Sequence, residues 1–109
     1  MELATAYAAS TPMQVDFAGT VTSEPSYFMG THTHCRHEQF AVRSSAGPID
    51  VIDNVALAPS VPVHVGDRVE IDGEMVHDPG KLPVVHWTHH DPEHRHPDGF
   101  IRFHGRVYA

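Results

Sequence analysis

A small all-β fold is the class this sequence predicts, and three observations carry that expectation. From Val15 onward, short alternating apolar and polar runs are separated by Gly, Pro, Asn and Asp, the punctuation of strands and turns. Gly66-Asp67 marks a turn, after which Val69 and Ile71 alternate with charged residues into Gly73. A glycine inside a strand pattern signals a bulge or sharp bend, as barrel closure requires. The chain has 109 residues and 40% hydrophobic content, enough for one domain with a modest core.

Taken in order, residues 1–14 stand apart as a tail or short helix. Residues 2–9 are Ala-rich with Leu3 and Tyr7 at helical spacing, and the pattern stops at Ser10-Thr11-Pro12. A frayed tail is the alternative. The remaining residues, 15–109, read as a single domain with strands near 15–22, 40–44, 49–53, 68–77 and 84–88. A last hairpin pairs 100–103 with 106–108 around His104-Gly105. Residues 54–59 stand where a barrel often carries a helix, but Pro59 and Pro62 allow only a short turn or extended crossover. Five curved strands in this length point to a small five-stranded barrel of the oligonucleotide/oligosaccharide-binding (OB) type, with a β-sandwich as the alternative. Trp87 is expected to be at least partly buried, and Val69 and Ile71 to contribute to the core.

Composition narrows the function classes. Seven Lys and Arg oppose fourteen Asp and Glu, a net charge of −7, and the basic residues form no run. Binding to phosphate backbones relies on cations that displace counterions, so nucleic acid is an unlikely partner here. No apolar run approaches the about 20 residues of a membrane helix. Met1-Glu2-Leu3 lacks the basic start of a secretory signal, so no export instruction is expected in the chain as given. Cys35 is the only cysteine, which excludes an internal disulfide and leaves a thiol near His34 and His37 to pack or to ligate a metal.

Histidine is the outstanding residue type. The segment HWTHHDPEHRH, residues 86–96, holds five of the eleven histidines. Neutral imidazole is a common ligand for zinc, copper and nickel, so a metal site is the first hypothesis. Strand alternation sets Val85 and Trp87 on one face and His86 and Thr88 on the other. Two imidazoles four residues apart on a strand are too far apart to share a metal without a bend, because each residue rises about 3.3 Å. Asp91-Pro92 supplies the bend, after which His94 or His96 folds back toward His86 or His90. His37, distant in sequence, is the candidate third ligand. The competing reading is a module without metal, binding a small ligand near Trp87, His86 and Tyr27 and tuned by acidity. Protonating every histidine would carry the net charge from −7 to +4. A metal-dependent hydrolase ranks lower still, because no HExxH, nucleophile elbow or phosphate loop appears. Glu38 and Glu93 are expected to be solvated surface charges. Phe28, Phe40, Trp87 and Phe100 read as core or as a stacking platform.

The residues Arg36-His37-x-x-Phe40, Asn54-x-x-Leu57-Ala58-Pro59, Val65-Gly66-Asp67-Arg68-Val69, Gly73-Glu74 and His86-Trp87-Thr88-His89-His90-Asp91-Pro92 together resemble a family of small bacterial proteins, domain of unknown function 3465. The resemblance continues through His96-Pro97-x-Gly99-Phe100-Ile101 and Gly105-Arg106-Val107-Tyr108, and HWTHHDP makes it specific. It implies an OB-like fold and a protein that is often exported, but no activity. It carries His37, His86, His89, His90, Asp91 and His96 onto matching positions, and these six form the candidate metal set. Three features depart from the family pattern: the loop with His32, His34 and Cys35 reads as an insertion, Asp53 stands where relatives tend to have His, and Phe103-His104 replaces a usual His-Asn.

Overall fold

The computed structural model describes residues 2–31 and 34–109, so His32 lies outside the described residues. One short helix, α1 (Leu3–Ala8), precedes eight strands: β1 (Met13–Val21), β2 (Ser26–Met29), β3 (Arg36–Ser44), β4 (Gly47–Asn54), β5 (Arg68–Val76), β6 (Val84–His86), β7 (Phe100–Phe103) and β8 (Arg106–Tyr108). Five of them close into a barrel in the order β1-β3-β4-β6-β5, with β5 pairing back onto β1. The β4–β6 pair is parallel, whereas the other barrel pairs are antiparallel. This is an OB-like barrel with three additional strands.

Alternation along each strand decides what lies inside. Val15, Phe17 and Val21 of β1, Phe40 and Val42 of β3, Ile49 and Val51 of β4, and Val69, Ile71 and Met75 of β5 are all buried. Between β4 and β5 the chain makes a turn over Val55–Leu57 and continues extended, burying Ala58, Val61 and Val63. The helix α1 adds Ala6 to the core and is tied down at two points. Tyr7 donates its hydroxyl to the Pro48 carbonyl (3.0 Å), and His77 Nε2–H donates to the Ala6 carbonyl (2.9 Å).

Several sequence expectations need correction. The short strand β2 pairs with β3 and has every side chain exposed, so it lacks the half-buried alternation that reveals a strand. The strand through Phe40 begins earlier, at Arg36. Within it, Glu38 is fully buried rather than solvated. Finally, β6 ends at His86, because Trp87 takes a left-handed backbone conformation with φ 54°. The alternation expected over 84–88 therefore fails at its last two residues.

Both β6 and β7 lie along the same edge of β5, at Glu74–Val76 and Glu70–Asp72, with Gly73 between them. The segment from Trp87 to Gly99 leaves and re-enters the sheet at this gap. A Cβ on Gly73 would fall 2.5 Å from the His86 carbonyl oxygen, and one on Gly99 would collide with the carbonyls of Trp87 and Asp72. Two glycines thus allow the histidine-rich loop to close tightly against the barrel.

Candidate functional site

The outward faces of β3, β4 and β6 form the floor of an open groove of about 760 Å³, and the loop after β6 forms one wall. His37, Ile52, Asn54, Val84 and His86 come from the strands, Phe28 and Leu57 from the opposite rim, and Trp87, His89, Asp91 and His96 from the loop. Five of the six residues of the candidate metal set therefore share one groove: His37, His86, His89, Asp91 and His96. His90 does not line it; its Nδ1 pairs with Asp98 Oδ2 at 2.9 Å on the exposed side of the loop.

Trp87 organises the wall. Its left-handed backbone takes it out of the strand alternation expected with Val85, and the residue is 36% exposed, at the rim rather than in the core. The imidazole of His86 stacks on it at 4.4 Å between centroids, with 16° between planes. His96 stacks on it too, at 4.3 Å and 4°. His86 is also fixed across the sheet, where its Nε2 meets Glu74 Oε1 at 2.9 Å in a directly paired register.

Asp91 bends the loop back toward Trp87. Its Oδ1 accepts from the Glu93 amide, and its Oδ2 accepts from the amides of Arg95 and His96. Burial alone would raise the Asp91 pKa, but the three backbone N–H groups and the nearby His96 outweigh it and hold the carboxyl below its ordinary range. This is the work of a turn-capping carboxylate. The Asp91 amide in turn donates to Asp98 Oδ1 at 2.9 Å.

Three imidazoles are oriented by main-chain carbonyls. His37 Nδ1 is bonded to the Cys35 carbonyl (2.9 Å), His89 Nδ1 to that of His90 (2.7 Å) and His96 Nδ1 to that of Pro97 (2.8 Å). A carbonyl only accepts, so Nδ1 donates in each, and His96 Nε2 lies 3.6 Å from Asp91 Oδ2. His89 is buried and stands edge-on to His96, with centroids 5.3 Å apart. His37 stacks on Phe28 across the groove. Among the described residues, no three His, Cys, Asp or Glu side chains are gathered closely enough to hold a metal ion. Tyr27 takes no part in the groove; its hydroxyl reaches Glu38 and Ser60.

The sequence does not point to Ile52, Leu57 and Val84 as lining residues, whereas Phe28 reads as core or as part of a stacking platform. Glu74 as the partner of His86 follows only from the pairing of β5 with β6. No helix among the described residues is long and apolar enough to cross a membrane.

The family described as Protein of unknown function (DUF3465) matches residues 2–109. No curated protein and no solved structure shows a significant match to the chain.

Proposed function

We propose that this chain, which belongs to the family Protein of unknown function (DUF3465), is a small-molecule binding module whose ligand occupies the groove beside Trp87. The observation that carries this reading is the fixed array of imidazoles around one concavity, three of them pinned through Nδ1 on main-chain carbonyls. Its volume falls in the range of small-ligand sites, about 300–1,000 Å³. Phe28, Ile52, Leu57 and Val84 supply apolar contact, while the imidazoles of His37, His89 and His96 supply polar groups. The matching ligand is a neutral compound with an apolar face and hydroxyl or amine donors. By analogy, OB-type barrels bind on the face of their second and third strands, here β3 and β4. A ligand-observed NMR screen of chelator-treated protein against neutral polyols and small aromatic amines tests this. Binders weakened by His96→Ala and indifferent to His90→Ala support it, and an absence of binders counts against it.

A second reading, binding of zinc, copper or nickel, is favoured by one specific feature. An Nδ1–H bonded to a carbonyl is the usual way a protein presents Nε2 to a metal, and His89 and His96 stand side by side in this form. Closing a full ligand set would require His37 or His86 to approach them. Calorimetric titration of untagged protein with each metal, repeated on His89→Ala and His96→Ala, separates the two readings.

A further inference from the structure

Opposite the groove floor, on the inner side of β4, lies a buried pair of carboxyl groups that the ligand site does not use. Glu38 and Asp53 are direct partners across β3 and β4, and both are fully buried. Glu38 is well supplied with donors: the Val61 amide reaches Oε1 at 2.9 Å, and the hydroxyls of Ser60 and Tyr27 reach Oε2 at 2.9 and 3.0 Å. Asp53 is the opposite case, because its Oδ2 has no hydrogen-bond partner at all.

A count of hydrogens distinguishes the states of Asp53. Thr88 Oγ1 lies 3.2 Å from the Ile52 carbonyl oxygen and 3.1 Å from Asp53 Oδ1. A hydroxyl has one hydrogen and a main-chain carbonyl only accepts. Thr88 Oγ1–H is shared as donor between the two oxygens; a proton on the Asp53 carboxyl adds a second hydrogen, which lets Thr88 donate to Ile52 while it accepts from Asp53. An ionised Asp53 instead competes with the Ile52 carbonyl for the single Thr88 hydrogen. Thr88 directly follows Trp87, so this choice is felt at the groove wall.

We propose that Asp53 is protonated in the folded barrel and that its proton positions the Trp87-Thr88 turn, making Asp53 a proton-dependent positioning residue for the groove. Burial is the main cause that pushes the Asp53 pKa up, to about 7, with the Glu38 charge adding to it and the contacts of Thr88 and Asn54 pulling the other way. Glu38 is the titratable group facing Asp53 from β3. From the loop, the titratable neighbours of Thr88 are His86, engaged with Glu74, and His89, engaged with the His90 carbonyl. The inference concerns the wall itself and holds whichever ligand the groove takes.

The test follows the Asp53 carboxyl carbon by ¹³C NMR from acid to alkaline pH, with the indole resonance of Trp87, the only tryptophan, recorded alongside. The expected result is an Asp53 midpoint near 7 and an indole shift with the same midpoint. Asp53→Asn, whose amide still donates to Thr88, should remove that component and leave the indole in its low-pH position. Thr88→Val should uncouple the two titrations and Thr88→Ser should restore them. An Asp53 midpoint in the ordinary carboxylate range overturns the proposal even if no variant folds. So does an indole component that persists in Asp53→Asn, since the histidines alone would then produce it.

Discussion

The imidazole of His96 lies parallel to the indole of Trp87, 4.3 Å away, although the two residues stand on opposite arms of the histidine-rich loop. With His86 also stacked on the indole, one exposed tryptophan ties that loop to the strand it leaves. Aromatic pairs of this kind contribute about 0.5–1.5 kcal/mol each beyond area burial. Trp87→Ala is therefore expected to lower unfolding stability by about 1–3 kcal/mol in urea. His96→Ala should lower it less and shift Trp87 emission to the red. Unchanged emission in His96→Ala would show that the stack is not populated in solution.

Asp91 gives a prediction of opposite pH sense to Asp53. Its pKa is lowered in the fold, so its contribution is present above the ordinary carboxylate range and is lost as pH falls through the folded value. Asp91→Asn keeps the shape but weakens the charged acceptor for the Glu93, Arg95 and His96 amides. Hydrogen exchange at the Arg95 and His96 amides should quicken by about tenfold or more, the scale of one lost net hydrogen bond. In acid the variant and the parent should converge.

For Asp53 the sign runs the other way. A folded pKa of about 7 against an ordinary 3.8 means that the native state binds the extra proton between these values. Stability from this group is full below the lower value and falls as pH rises through the upper one, a loss of the order of 4 kcal/mol when complete. Asp16, raised to about 6 chiefly by burial and by Glu70, adds a slope of the same sense. Asp53→Asn should raise unfolding stability by about 2 kcal/mol or more at pH 8 and by little at pH 4. Denaturant melts at the two values check this; equal gains at both would refute the assignment.

Gly99 is the simplest test of how the loop is seated. Any side chain there meets the carbonyls of Trp87 and Asp72, which are main-chain atoms of the site and of β5. Gly99→Ala is expected to cost about 3 kcal/mol or more, at the upper end for overpacking. Gly80→Ala, where a Cβ meets nothing, is the control for substitution at a loop glycine, with only its left-handed φ of 74° to strain. Thermal unfolding of both variants is the measurement.

Much of the barrel was legible because its strands are half-buried and alternate strictly, as in Val69, Ile71 and Gly73 of β5. The strand β2 was not, since Tyr27, Phe28 and Met29 are consecutive, large and all exposed at a sheet edge. Glu38 was misjudged because composition assigns a glutamate to the surface, and only the fold brings Tyr27, Ser60 and Val61 to it. Within the candidate site, the cluster of histidines marked the loop that walls the groove, while the groove's composition depended on two features that periodicity does not encode. One is the left-handed Trp87, which reverses the expected facing of the indole; the other is the Asp91 turn, which separates His90 from His96.

The central claim is that the groove beside Trp87 is a ligand site, and chemical-shift mapping of metal-free protein tests it most directly. Amide, indole and imidazole resonances would be followed while a neutral polyol or small aromatic amine from the screen is titrated in the presence of chelator. The account predicts saturable shifts concentrated at Phe28, Leu57, His86, Trp87, His89 and His96, with His90 on the far side of the loop little affected. Shifts that fall elsewhere on the barrel, or that appear only when zinc, copper or nickel replaces the chelator, would contradict it.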